Sequence, residues 1–430
     1  MSDGGGETVW RGQVAAPGFG RGPLFSVGGE IGDGEDNPSR VRPAVLDAPH
    51  GAVIVGVDLT PAECAALSDR NPAGLALVRG SATSHVAVMA QERGWPLVIR
   101  LAGESEIDVG ALAGEALLDA VDGRLVRGPS AATTTAFTHR ARLWREQRAR
   151  DAALLPLPAI TADRRRVRVG LVIDQLSQLR ATDPAHADGI GLVRTEMLFA
   201  DRAALPGEEG QFATYRILLQ WAGDRPVAIR LFDPGEGKTL PGVDAGALRG
   251  VAFGLANPAI LGVQLRALLR AAAAGDLTIV LPMVESPADV AAMRSALADA
   301  TEALRRAGRP FGRPRLGAMI ETAGALEHVA GLSVERLSVG LGDLAAALGE
   351  PRQTGSATPS RALCAAVERV VAHGAALGVD VALCGALAAD PALADTWLRL
   401  GVRDLSAPPA ALAAMKAAIA AIGAGAEADA

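Results

Sequence analysis

From residue 161 onward, short apolar runs alternate with long Ala- and Leu-rich stretches, and eight such runs can be read: RVRVGLVI, GIGLVRTE, PVAIRLF, TIVLPMV, RLGAMIE, RLSVGLGD, DVALCGA and RDLSAP. Strands that alternate with helices are joined by crossovers, which makes them parallel, and eight such units have the size of a (β/α)8 barrel. Polar residues punctuate the runs on one side. Arg194 and Glu196, Arg230 and Asp233, Glu285, Glu321, Asp343 and Cys384 fall at the C-terminal end of a run or just beyond it. That face carries the active site in this architecture, so the chemistry is expected there.

Ahead of the barrel the pattern differs. Between Val45 and Arg127 come AVIVGVDL, GLALVRG, PLVIRLAG, ALLDAV and RLVRG, apolar runs broken by Gly and Pro, with one amphipathic helix from Ser84 to Arg93. These features predict a compact first domain of strands with that one helix among them. Gly29 to Arg40 reads as a surface loop. Thr133 to Ala153 is a charged, helical stretch with little β character, suited to a linker. The expected organisation is therefore a first domain over 1–130, a helical linker over 131–160 and a barrel over 161–424. Hydrophobic residues at 49% with only 3% aromatics fit helices packed on parallel strands better than a β-sandwich.

A formal net charge of -6 argues against a bulk nucleic-acid or anionic-membrane binder, so any anionic ligand must be met by local arginines. Cys64, Cys364 and Cys384 are odd in number and far apart, which implies neither a disulfide framework nor a zinc ribbon. The N-terminus lacks a basic region followed by an apolar run, and no long apolar stretch occurs. The expectation is a soluble, cytoplasmic protein.

Several residues invite a chemical reading. His85, in RGSATSHVAVMA, falls at the start of the predicted helix, where amide groups and the positive dipole end favour a phosphoryl group, with Thr83 or Ser84 as the cap. A surface imidazole beside a cap is the plainer alternative. Glu321 and Asp343 end consecutive barrel strands and can converge on one Mg2+ or Mn2+, a hard ion that takes oxygen ligands; helix capping is the other reading. Arg194, Arg230 and Arg249, with Lys238 in DPGEGK, supply the fixed cations that a small substrate bearing phosphate and carboxylate needs, against surface ion pairs. Cys384 can act as a general acid or serve as a small buried hydrophobe. DPGEGK lacks the GKS or GKT of a nucleotide loop.

These segments together resemble enzyme I of the phosphoenolpyruvate-dependent sugar phosphotransferase system, in the family of PEP-utilising enzymes. The resemblance runs in family order through GQVAAPGFGRGPLF, VDLTPAECAAL, ATSHVAVMA with GWPLVI, GIGLVRTEMLF, PVAIRLFDPGEGKTLP, LPMVES, GAMIE, SVGLGDL and LCGALAAD. It implies an α/β chain in which a swivelling phosphohistidine domain precedes a C-terminal (β/α)8 TIM barrel of the phosphoenolpyruvate/pyruvate type. His85 would attack the phosphorus of phosphoenolpyruvate held by Arg194, Arg230, Arg249, Lys238 and Arg352. Glu321 and Asp343 would hold Mg2+ (or Mn2+), and Cys384 would protonate the departing enolate to give pyruvate. The family also implies dimerisation through the barrel.

The departures from the family pattern are specific. Ser81 and Ala82 replace a glycine and an arginine of the phosphohistidine loop, Gly342 stands where an asparagine precedes the metal-binding aspartate, and Ala252 and Ala386 replace an arginine and an acid. The long helical insertion that docks the carrier protein HPr has only Val27 to Pro49 in its place, so the phosphoryl acceptor is unidentified. Two other readings are weighed against a phosphotransferase. IVLPMVESPADV, AMIETAGALEHV and LSVGLGDLAAALG also resemble the citrate lyase β subunit and HpcH/HpaI aldolases, which are metal-dependent carbon-carbon lyases. The chain could instead be a degenerate regulatory paralogue that binds phosphoenolpyruvate.

Overall fold

The computed structural model describes residues 7–28, 41–80, 84–102, 112–200, 202–235, 240–351 and 358–423, with the backbone but not the side chain at His85. The chain divides into two compact units, Met1–Ala149 and Arg150–Ala430.

The first unit is a closed barrel of seven strands: β1 (Thr8–Ala16), β2 (Phe19–Val27), β3 (Val53–Gly56), β4 (Gly74–Leu77), β5 (Leu97–Ala102), β6 (Glu115–Asp119) and β7 (Arg124–Arg127). The five apolar runs of the sequence became β3 to β7. Strands β2 to β5 run parallel in the order β2, β3, β4, β5, while β1, β6 and β7 close the barrel through antiparallel pairs. Strands β1 and β2 show little apolar alternation, and their glycines answer to space. A Cβ at Gly20 would strike the Ala73 carbonyl, and one at Gly22 the Gly51 carbonyl. Such close backbone approach needs Gly whatever the hydrophobic pattern says.

Two local devices organise this unit. Pro61–Ala66 opens with a capping box in which Glu63 N–H donates to Thr60 Oγ1 at 3.1 Å and Thr60 N–H to Glu63 Oε2 at 3.0 Å. The same buried Glu63 carboxylate accepts Arg42 Nε at 2.6 Å and Arg42 Nη2 at 2.9 Å, which ties down the short helix Pro43–Leu46. The second device is helix His85–Arg93. It follows β4, is capped by Ser84 Oγ, which accepts Ala87 N–H at 3.2 Å, and stops at Gly94 with φ of +68°. Of the two expected caps Ser84 performs the role, while Thr83 lies outside the described residues.

Helix Ala131–Ala152 packs on the first unit. Phe19 meets Phe137 and Trp144 edge-on at 5.2 and 5.9 Å, and Arg140 pairs with Asp119 and Asp122, each at 2.7 Å.

In the second unit the eight apolar runs are eight parallel strands closed into a barrel: β8 (Arg168–Ile173), β9 (Ile190–Arg194), β10 (Val227–Arg230), β11 (Leu277–Leu281), β12 (Arg315–Ile320), β13 (Arg336–Gly340), β14 (Asp380–Cys384) and β15 (Asp404–Ala407). Strand neighbours follow chain order, and β15 returns to β8 through pairs such as Leu405↔Val169. Apolar side chains between the strands and the outer helices form the main core, while Leu192, Ala228, Val280, Met319 and Cys384 pack along the barrel interior. No single helix among the described residues is long and apolar enough to span a membrane.

Candidate active site

Most polar groups of interest in the second unit sit where a strand ends. Asp174 follows β8, Arg194 ends β9 and Arg230 ends β10, with Asp233 three residues on. Glu321 follows β12, Asp343 lies in the first turn of helix Leu341–Ala347 directly after β13, and Cys384 ends β14. Arg249 is the N-cap of helix Gly250–Ala256, which comes after β10. Parallel strands in a closed barrel bring these ends to one rim, so residues far apart in sequence meet there.

The arginines are fixed by carboxylates. Arg194 grips Asp174 with two nitrogens, Nε lying 2.6 Å from Oδ1. Arg230 is buried, pairs with Glu196, and places Nη1 3.5 Å from Asp233 Oδ2. Arg249 forks onto Asp233 through Nε at 3.1 Å and Nη2 at 2.6 Å, and its Nη1 lies 3.4 Å from Asp343 Oδ1. Burial opposes charge on Arg230, yet Glu196, Asp233 and Glu321 outweigh it and hold this guanidinium above its ordinary range. Bidentate pairs of this kind set a planar guanidinium in one orientation. Thr195 Oγ1 donates to the Arg230 carbonyl at 2.8 Å, and Gln264 bridges Thr195, Tyr215 and the Phe232 N–H behind the rim.

Glu321 has the opposite electrostatics. It is 2% exposed and accepts the Met283 N–H at 2.9 Å. Burial pushes its carboxyl up to about 7; Arg230 lowers it, and Asp233 and Asp343 raise it further. A desolvated carboxylate whose charge is opposed by other acids is stabilised by a nearby cation. The backbone leaves Glu321 its place: a Cβ at Gly340 would lie 2.6 Å from Glu321 Oε2 and 3.1 Å from its Cβ. In its chemistry, two carboxylates at neighbouring strand ends, the donor set suits a hard divalent ion. Among the described residues no three His, Cys, Asp or Glu side chains converge into a ready cage. Two carboxylates leave most positions of an oxygen-coordinated ion to substrate and water, as Mg2+ sites commonly do. Five carboxylates, Asp174, Glu196, Asp233, Glu321 and Asp343, face three guanidiniums in this network, a formal charge of minus two when all are ionised. An anionic substrate would meet net repulsion from these groups unless a cation joined them.

Cys384 is buried, and its Sγ donates to the Val339 carbonyl at 3.4 Å. Burial first, then Glu321, pushes the thiol up to about 12, against the pull of Arg230 and Arg194. The group is held as a thiol, able to give a proton but not poised as a nucleophile.

The structure thus brings Arg194, Arg230, Arg249, Glu321, Asp343 and Cys384 to one site. Lys238 and Arg352 lie outside the described residues, as do Ser81, Ala82 and the His85 imidazole. His85 is the first residue of its helix, behind the Ser84 cap, in the other unit. Asp174, which orients Arg194, was not singled out from the sequence, although it follows RVRVGLVI as directly as Glu321 follows its own run. Glu196 and Asp233 were legible as polar strand-end residues, but nothing in the sequence gave their task of clamping Arg230 and Arg249.

Comparison with known families matches two models. The mobile domain of PEP-utilising enzymes matches residues 48–123, and their PEP-binding domain matches residues 148–424. The chain belongs to the PEP-utilising enzymes. The mobile-domain match of this PEP-utilising enzyme contains His85, and the PEP-binding match contains the whole strand-end network. The phosphoenolpyruvate-protein phosphotransferase of Streptomyces coelicolor is 32% identical over 422 residues, covering 92% of this chain and 72% of the relative. That of Haemophilus influenzae is 32% identical over 309 residues, covering 69% of this chain and 53% of the relative, so the chain spans about half the length of that protein. Among solved structures, a HpcH/HpaI aldolase/citrate lyase family protein from Burkholderia cenocepacia is 18% identical, covers 56% of this chain and 88% of its own, and has a TM-score of 0.37.

Proposed function

We propose that this PEP-utilising enzyme is a phosphoenolpyruvate-protein phosphotransferase that phosphorylates itself on His85, releases pyruvate and passes the phosphoryl group to an acceptor protein. The observation that carries the reading is the strand-end network itself: oriented guanidiniums beside two carboxylates suited to a divalent ion, with a protonated thiol next to them. This is the equipment that phosphoryl transfer from an enol phosphate requires, because the reaction needs positioning and charge neutralisation more than covalent chemistry.

In this reading Arg194, Arg230 and Arg249 orient the phosphate and carboxylate of the substrate, with Lys238 and Arg352 completing the cationic set. Glu321 and Asp343 hold Mg2+ or Mn2+, which supplies positive charge against the phosphoryl and enolate oxygens. A ring nitrogen of His85 forms the new bond to phosphorus as the bond from phosphorus to the enol oxygen breaks. Cys384 gives its proton to the methylene carbon of the enolate, yielding pyruvate, and the thiolate is reprotonated from water. The first unit acts as the carrier that presents His85 and then moves away, the segment 131–160, helical over Ala131–Ala152, serving as its linker between residues 1–130 and the barrel at 161–424.

Incubation with radiolabelled phosphoenolpyruvate and Mg2+ is expected to give an acid-labile, base-stable phosphoprotein, and His85→Ala to abolish the label. Absence of label in the unaltered chain would remove the phosphotransferase reading. Cleavage of a 2-oxo acid that is indifferent to His85→Ala would favour a lyase instead.

A further inference from the structure

Arg249 differs from the other two guanidiniums in what it bridges. Arg194 contacts Asp174, and Arg230 contacts Glu196 and Asp233, whereas Arg249 also contacts a carboxylate that the proposed function gives to the divalent ion. Its contacts are unequal. The fork to Asp233, at 3.1 and 2.6 Å, anchors the guanidinium on a fully buried acid, while Nη1 makes only a 3.4 Å contact to Asp343 Oδ1. The outer contact is also the accessible one: the Arg249 and Asp343 side chains are 22% and 19% exposed, against 4% and 0% for Arg230 and Glu196.

A guanidinium on Asp343 Oδ1 and a cation coordinated at that oxygen compete for it and repel each other at short range. When an ion takes Asp343, Arg249 gives up its longest contact and keeps both bonds to Asp233, so the side chain need not leave the site. Its Nη1 then carries free N–H groups at the place where a substrate phosphate or carboxylate must be bound. The converse also holds, because an anion that draws Nη1 away uncovers Asp343 for the ion. We infer that Arg249 competes with the divalent cation for Asp343 and is transferred to the substrate when the cation binds, which couples the two binding events positively. Reciprocity follows from linkage: whatever factor the ion adds to substrate affinity, the substrate adds to ion affinity. Asp233 is the positioning residue of the device, since it holds Arg249 in both arrangements. The inference rests on the assignment of Glu321 and Asp343 to the ion.

The test is Mn2+ binding to the whole 430-residue chain, followed by the electron paramagnetic resonance of free Mn2+. Without substrate, Arg249→Met is expected to bind Mn2+ at least about fivefold more tightly than the unaltered chain, the lower end of ordinary coupling between sites. Arg194→Met removes the same charge from the same rim without touching Asp343, and is expected to change affinity less than about twofold. Arg249→Lys is the second variant, because one ammonium group cannot fork Asp233 and reach Asp343 together; it too is expected to tighten Mn2+. In a His85→Ala background, which prevents turnover, phosphoenolpyruvate should tighten Mn2+ binding at least about fivefold, and adding Arg249→Met should reduce that gain more than adding Arg194→Met, which also removes a substrate-binding guanidinium. Equal effects of Arg249→Met and Arg194→Met would overturn the competition while leaving the ion site intact. Failure of every variant and of the unaltered chain to bind Mn2+ would overturn the inference together with the assignment beneath it.

Discussion

Cys384 shows how a single side chain is prepared by its surroundings. Its thiol is pushed up to about 12 by burial and by Glu321, so it remains protonated across the physiological range, and its hydrogen bond to the Val339 carbonyl fixes the direction of the sulfur. If it protonates the enolate, Cys384→Ala should slow pyruvate formation by about 10²–10⁴-fold, the usual worth of a general acid, while phosphoenolpyruvate affinity measured by calorimetry stays nearly constant. A parallel loss of affinity would mark the residue as packing only. Gly340 poses the complementary question. Because a Cβ there would lie 2.6 Å from Glu321 Oε2, Gly340→Ala should displace that carboxylate, lower the melting temperature through about 1–3 kcal/mol of overpacking, and weaken Mn2+ binding. Unchanged Mn2+ affinity in a destabilised variant would separate Glu321 from the ion.

Among the elements, the capped turn at Thr60 to Ala66 couples a sequence signal to a tertiary one. Burial alone would raise the Glu63 carboxyl, but hydrogen bonds from Arg42 and from the Thr60 and Arg42 amides outweigh it and hold the group below its ordinary value. A group lowered in this way stabilises the fold above its unfolded value, and the contribution disappears as pH falls through the folded value. Glu63→Gln should therefore be less stable than the unaltered chain by about 1.5–3 kcal/mol at pH 7 in urea titrations, with the difference shrinking below about pH 4.5. A difference independent of pH would mean that shape, not charge, is what Arg42 recognises. The capping box is visible as T-P-A-E in the sequence, yet the arrival of Arg42, 21 residues earlier, is not.

For the molecule as a whole, the division into units bears on the carrier role proposed for His85. Buried Lys416, in the last helix of the barrel unit, donates to the Leu155 and Leu157 carbonyls at 2.6 and 2.7 Å, which fastens the segment after helix Ala131–Ala152 to that unit. Residues 150–430 carry their own closed barrel and main core. Expressed alone, this fragment should unfold in one cooperative transition and bind Mn2+ with the affinity of the full chain, as checked by calorimetry. A broad, non-cooperative melt would show that its core depends on the first unit.

How much of this was legible follows from which signals are local. The eight barrel strands could be placed because a parallel strand is a short apolar run between helical segments, a pattern written along the chain itself. The same punctuation put Arg194, Arg230, Glu321, Asp343 and Cys384 at strand ends. Strands β1 and β2 escaped a reading by periodicity, because their glycines are set by neighbouring carbonyls from distant segments. The sequence by itself determined the barrel's repeating unit and the end of it at which the charged residues gather. Only the tertiary structure decided that Asp174 clamps Arg194, that Asp233 serves Arg230 and Arg249 together, and that Glu321 sits desolvated between acids. Those relations are distances and dielectric surroundings, most of them between residues sixteen or more positions apart, and they exist only once the barrel has closed.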